Sequence, residues 1–145
     1  MRQNICFLLI FLGFAVSADT IDHYVNIANN IPRMEMKADS QSQAWARSAR
    51  NILILTSESI AESLTLANES AAKLGSTLYC LPAGLSIDGK MLNNLIQKTY
   101  QDISSQQSDK NKMTVSQVAL LGLSKKYPCQ QVNNPIVPAM AQAEF

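Results

Sequence analysis

Few residues of this chain have types and spacings that could support chemistry. His23 is the only histidine of the 145 residues, and on a predicted helix its role is surface exposure or packing. Glu58 and Glu62 lie one helical turn apart, but with Glu69 further along they are typical of a solvated helix face. No His, Cys or carboxylate cluster matches a zinc site, and the glycines form no phosphate-binding loop. We therefore expect no enzyme activity, no metal and no cofactor.

Residues 1–18 have the pattern of a secretory signal peptide. Arg2 gives a positive start, an apolar run follows, and Val-Ser-Ala at 16–18 is a small-residue cleavage site. The run is shorter than the roughly 20 apolar residues that span a bilayer. The pattern predicts a periplasmic or secreted protein that starts at Asp19 and is not inserted in the membrane after cleavage. An uncleaved membrane anchor is the alternative.

The charge of the predicted mature chain excludes some partners. Removal of Arg2 lowers the count of Lys and Arg from 12 to 11, which equals the 11 Asp and Glu. A balanced chain has no general attraction for nucleic acid or for an anionic membrane. We therefore expect a protein partner and no nucleic acid.

The cysteines predict one disulfide. Cys6 lies in the predicted signal peptide, which leaves Cys80 and Cys129. An even number of cysteines in an exported chain favours a disulfide over a metal site or a reactive thiol. The sequence separation is 129 minus 80, or 49, for which the chain-entropy model gives roughly 4 kcal/mol of stabilisation.

Two amphipathic segments between these cysteines predict helices near 86–104 and 114–127. Ser86 can cap the first helix, and Thr114 with Gln117 matches a capping box at the second. Folded back as an antiparallel hairpin, the two helices bring both cysteines to the same end.

Two further helices are predicted earlier in the chain, near 20–31 and 39–74. Pro32 is expected to end the first, and Gly75 to end the second in the left-handed conformation. The long helix has apolar residues at intervals of three and four, which predicts its core-facing side: Trp45, Ala49, Ile52, Leu53, Thr56, Ile60, Leu64, Ala67, Ala71 and Leu74. The sequence thus predicts an all-α, single-domain bundle of four to five helices over 19–129, closed by one disulfide, with a flexible tail over 130–145.

Three apolar residues of the long helix fall outside this periodic side: Ile54, Leu55 and Leu66. They indicate either a central helix packed on more than one side or a partner surface. The polar connector 105–113 is a second candidate, as a loop that could enter an enzyme cleft. A solvated linker is the alternative for the connector.

Two motifs resemble those of a known family. Tyr79-Cys80-Leu81-Pro82-Ala83-Gly84-Leu85-Ser86 is followed by Met91-Leu92, and the last helix ends in Tyr127-Pro128-Cys129. Over Cys80–Cys129 the chain resembles the Tai-type immunity proteins of bacterial type VI secretion, in which an aromatic-Cys-x-Pro-x-Gly turn enters a helix and a later helix ends in aromatic-Pro-Cys. Only the disulfide pair and the turn residues Pro82 and Gly84 are carried over.

The resemblance implies a small, all-α periplasmic protein that binds and blocks a toxic effector, typically a cell-wall amidase, and it allows a homodimer. Two other classes are weighed against this immunity or inhibitor function. One is a protein released beyond the envelope to act on a host or competitor. The other is a periplasmic chaperone or stress protein, which would expose apolar faces when its carboxylates are protonated.

Overall fold

The computed structural model describes residues 20–103 and 109–129. They form four α-helices, which are α1 (Ile21–Glu35), α2 (Ser40–Lys73), α3 (Gly89–Asp102) and α4 (Val115–Lys126), and one 3-10 turn, Lys110–Lys112. Within these residues there is no β-strand, only an isolated bridge between Thr20 and Thr114. The predicted all-α bundle of four helices is confirmed. The predicted signal peptide (1–18) and tail (130–145) lie outside the described residues.

The helices pack in chain order, α1 on α2, α2 on α3 and α3 on α4, around one core. The start of α1 is joined to the start of α4, because the Ile21 amide donates to the Met113 carbonyl at 2.9 Å. Tyr24, Leu92, Ile96 and Leu123 are among the largest fully buried side chains. Every helix except α2 contributes a large side chain to this group. None of the helices in the described ranges combines the length and apolarity needed to cross a membrane.

The end of α1 differs from the prediction. Pro32 was expected to stop the helix, but α1 continues through it to Glu35. Proline has no backbone N–H, so Pro32 removes one hydrogen bond from the last turn of the helix. The Met36 amide still donates to the Pro32 carbonyl at 3.1 Å, and Glu35 pairs with Arg50 of α2. Contact with α2 thus retains the last turn.

The start of α3 also differs. The helix begins at Gly89, and its cap is Asp88, whose carboxylate accepts from the Met91 amide at 2.6 Å. Ser86, the predicted cap, belongs to the irregular segment between α2 and α3. A carboxylate at the cap satisfies a free amide and also complements the positive helix end.

Other local predictions are confirmed. The helix α2 runs unbroken for 34 residues from its Asp39 cap. Gly75 follows it with φ of +75°, a left-handed conformation that favours glycine. Thr114 and Gln117 form the predicted capping box at α4.

The predicted disulfide is confirmed. Cys80 and Cys129 are bonded, with their Cα atoms 4.9 Å apart. The Cys80 amide also donates to the Tyr127 carbonyl at 2.8 Å, so the segment that precedes α3 is fixed to the end of α4.

We predict that Cys129→Ser lowers the free energy of unfolding by up to about 4 kcal/mol, because the unfolded chain regains the entropy of an open 49-residue loop. Urea unfolding of the variant measures the loss. Wild-type protein reduced with dithiothreitol is the matched control and should show a similar decrease. Free thiols in protein isolated from its native compartment would contradict the disulfide.

A buried polar contact joins three helices. The Tyr24 hydroxyl of α1 lies 2.8 Å from Ser57 Oγ of α2 and donates to Asn93 Oδ1 of α3 at 2.6 Å. Tyr24 and Ser57 are both fully buried. Burial raises the pKa of the Tyr24 phenol, and the hydrogen bond to Ser57 acts in the opposite direction.

We predict that Tyr24→Phe lowers the free energy of unfolding at pH 7 by about 1–3 kcal/mol, because Ser57 Oγ loses its buried partner. The pKa of Tyr24 is higher in the folded protein than the value of about 10 in the unfolded chain. The protonated phenol therefore contributes its full stabilisation below about pH 10, and this stabilisation is lost as the pH rises through the folded pKa. The difference between wild type and variant should therefore narrow above about pH 10. Chemical unfolding from pH 7 to 11 measures this, and an unchanged difference would contradict it.

Candidate protein-binding surface

The helix α2 leaves four large apolar side chains in solvent. Trp45 is 41% exposed, Ile52 57%, Leu55 61% and Leu66 58%. At 3.6 residues per turn these four lie within an arc of about 80°, roughly 140° from the core-facing row. We call these four residues the α2 apolar face. Exposed apolar residues aligned along one helix are typical of a surface that binds another protein.

The α2 apolar face is uncharged. Between Gln41 and Ser70, the positions in this arc are otherwise glutamine and serine, with no acidic or basic residue. The Ser63 hydroxyl donates to the Ser59 carbonyl at 2.8 Å within the helix itself. A hydroxyl already bonded to its own helix costs less to remove from water than an unpaired one. The face can therefore be covered without burying a charge.

One flank of the face is charged. Four exposed residues lie along it: Arg47, Glu58, Glu62 and Glu69. Three of these four are glutamates, so the rim is mainly acidic. An apolar centre with a charged rim is the usual arrangement of a protein-binding surface. The two glutamates considered above as a carboxylate pair thus lie in this rim.

Leu55 and Leu66 lie on the same side of α2, in the α2 apolar face, whereas Ile54 lies elsewhere. Ile54 is half-buried, and its carbonyl would lie 2.7 Å from a Cβ built at Gly89. It thus belongs to the crossing of α2 and α3. The predicted partner surface therefore retains two of its three residues.

Of the predicted core-facing side, Ala49 and Leu53 are buried, which confirms that part of the prediction. Trp45, Ile52 and Leu74 are exposed, so their prediction in the core was wrong. The core-facing row of α2 consists of Ala46, Ala49, Leu53, Ser57 and Ala61. Small residues allow α1 and α3 to approach the α2 backbone closely, and at Gly89 no larger side chain would fit. Leu53 is the large residue of this row, and Trp45 and Ile52 lie on the outer side of the helix.

The irregular segment before α3 extends this surface. A cavity of about 450 Å³ lies between α2 and this segment, with Leu66, Leu81 and Leu85 among its lining residues. The Leu85 amide donates to the Pro82 carbonyl at 3.1 Å, and Gly84 has φ of +79°. The turn residues that carry the family resemblance thus fix Leu85 at the cavity beside Leu66.

Asn68 anchors the same segment to α2. Its Oδ1 accepts from the Leu78 and Tyr79 amides at 2.8 and 3.2 Å, and its Nδ2 donates to the Tyr79 carbonyl at 3.1 Å. The Tyr79 side chain is buried in the core. The periodicity of α2 gave no indication of this role for an asparagine.

The described part of the connector is packed against α3. Lys110 Nζ lies 4.2 Å from the centre of the Tyr100 ring and donates to the Ile103 carbonyl at 3.0 Å. The Tyr100 hydroxyl donates to Asn111 Oδ1 at 2.8 Å. Residues 105–108 of the predicted connector lie outside the described residues.

In the ranges 20–103 and 109–129, no group of three or more His, Cys, Asp or Glu could hold a metal ion. His23 is exposed on α1. Comparisons with protein-family models, with curated proteins and with solved structures find no match to this chain. Its function is therefore inferred from the geometry of its own surface.

We predict that Gly89→Ala lowers the free energy of unfolding by about 1–3 kcal/mol. The new Cβ would lie 2.7 Å from the Ile54 carbonyl and 3.1 Å from the Glu58 amide nitrogen, which forces α3 away from α2. The cost of this steric clash exceeds the roughly 0.5–1 kcal/mol by which alanine stabilises a helix relative to glycine. Urea unfolding measures it, with exposed Lys90→Ala as the control. Equal midpoints for Gly89→Ala and wild type would show that this contact does not constrain the crossing.

Proposed function

We propose that this protein is an exported inhibitor that binds and blocks a toxic enzyme of the cell envelope, as an immunity protein does. The observation that carries the proposal is the α2 apolar face, where four large apolar side chains are exposed on one uncharged side of a helix. Burial of a fully exposed side chain of this size is worth about 1.5–3 kcal/mol, and these four, which are roughly half exposed, retain about half of that. Buried anchor residues of this kind carry most of the binding energy of an interface.

The cavity beside Leu66 supports the proposal. A flat helix face gives limited shape specificity, whereas a concavity lined by Leu66 and Leu85 can receive one projecting side chain of a partner. The resemblance to Tai-type immunity proteins lies in the turn that borders this cavity and in the disulfide that holds it. Binding an enzyme near its active site would block substrate access and would require no chemistry from this chain.

The rim indicates the charge of the partner. Glu58, Glu62 and Glu69 flank the face and are exposed. A partner with Lys or Arg around an apolar patch would be attracted by this rim, with an association rate that falls as salt is added. The proposed enzyme therefore presents a basic border around the site that the α2 apolar face covers.

The test is protection of cells. Co-expression of the exported protein should rescue growth when an envelope-directed toxin encoded beside its gene is produced, and the two proteins should elute together in size exclusion. A cytoplasmic version without residues 1–18 is the control and should not protect. Absence of protection by the exported form, together with hydrolysis of a cell-wall or lipid substrate by the purified protein, would contradict the proposal.

We predict that Leu55→Glu and Leu66→Glu each weaken binding to that enzyme by about tenfold or more, because each places a charge in the centre of the interface. Both side chains are exposed, so the free energy of unfolding should change by less than about 0.5 kcal/mol. Isothermal titration measures the affinity. Met36→Glu is the matched control, since Met36 is also an exposed apolar residue but lies outside α2. Equal losses for all three variants would contradict the assigned surface.

A further inference from the structure

A second surface lies between α3 and α4 and shares no residue with the α2 apolar face. It is a groove of about 650 Å³, a volume in the usual range for binding sites. Its lining extends from Asp88 to Asp102 along α3 and from Gly122 to Lys126 along α4. Most of the lining side chains are exposed, so the groove is open to solvent along its length.

The floor of the groove is mainly apolar and closely packed. Leu95, Thr99 and Gly122 are buried there, with half-buried Met91 beside them. A Cβ at Gly122 would lie 3.1 Å from Leu95 Cγ and would collide with Thr99 Oγ1. Glycine thus lets the two helices approach each other, and a shallow apolar trough remains above their contact.

The border of the groove is basic. Four exposed lysines line it: Lys90, Lys98, Lys125 and Lys126. Within residues 20–103 and 109–129 none of the four forms an ion pair. Two aspartates also line the groove, and one of them, Asp88, is bound to the Met91 amide as the cap of α3. Four positive charges against two negative ones give a border with an excess of two positive charges.

We propose that the α3–α4 groove binds an acidic amphipathic helix of a partner protein. Leucine-like side chains on one face of that helix would contact Met91 and Leu95, and its flanking Asp or Glu would pair with the lysines of the border. The 14 residues of α3 span about 21 Å, which matches a helix of three to four turns. Among the described residues that line the groove none is aromatic, so this part of the chain offers no stacking surface for single-stranded nucleic acid.

The probe is a synthetic, fluorescently labelled helix of about 14 residues, with leucines on one face and glutamates on both flanks. Its binding to the oxidised full-length protein is measured by anisotropy at low and high salt. A peptide with lysines in place of the glutamates is one control, and a peptide of scrambled order is the other. We expect the acidic amphipathic peptide to bind at least about tenfold more tightly than either, with an affinity that falls as salt is added.

The double variant Lys98→Glu/Lys125→Glu should reduce the affinity by at least about tenfold. The matched control Lys73→Glu/Lys112→Glu changes the charge equally at exposed positions outside the groove and should bind as wild type does. Leu55→Glu should also bind the peptide as wild type does, which separates this site from the α2 apolar face. Circular dichroism checks that each variant is folded. If Lys98→Glu/Lys125→Glu does not fold, Lys98→Gln/Lys125→Gln is used in its place.

Three results would overturn the proposal. Equal binding of the scrambled peptide would show a general attraction to positive charge. An unchanged affinity in the Lys98→Glu/Lys125→Glu variant would place the peptide elsewhere. The third result comes from NMR titrations that follow the amide signals of Leu95 and Gly122. If dodecanoate shifts these signals saturably and the peptide does not shift them, the groove binds a small anionic amphiphile.

Discussion

The packing of the bundle depends on the hydroxyl of Tyr24. This group joins α1 to Ser57 of α2 and to Asn93 of α3, and Asn93 Oδ1 also accepts from Gln97 Nε2 at 3.0 Å. A buried hydroxyl without a partner is costly, and at Tyr24 that cost is avoided because α2 and α3 both supply hydrogen-bonding groups. The hydroxyl network and the close contact of Gly89 with α2 both favour the observed orientation of α2, which determines which of its residues face water.

The observed orientation places small residues of α2 against the core. Alanine and serine bury little apolar surface, but they allow neighbouring helices to approach, and Gly89 and Gly122 allow the same at the crossings of α3. The loss of apolar area on α2 is offset by large side chains from other elements, including Tyr24, Tyr79, Leu92 and Leu123. The close approach and the exposure of Trp45 and Ile52 are therefore two results of the same packing.

The helical periods, the capping residues and the cysteine pair were sufficient to predict an all-α hairpin-containing bundle with its disulfide. For α2, the hydrophobic pattern placed Ala49 and Leu53 correctly in the core. It missed Ala46, Ser57 and Ala61, because it gives weight to large apolar residues. Trp45 was therefore assigned to the wrong side. Leu55 and Leu66 were identified because they departed from the expected period. The α3–α4 groove was missed, since its lysines come from two helices and meet only in the folded chain.

The 34-residue α2 spans about 51 Å, more than twice the length of α3, and its two long sides have different roles. Residues on the inner side are buried, so packing constrains them. Those on the outer side contact water, so substitutions there cost little folding free energy. The outer side can therefore change its sequence while the bundle stays intact. If the outer side binds the proposed enzyme, its specificity can follow changes in the enzyme's surface without a change in the four helices.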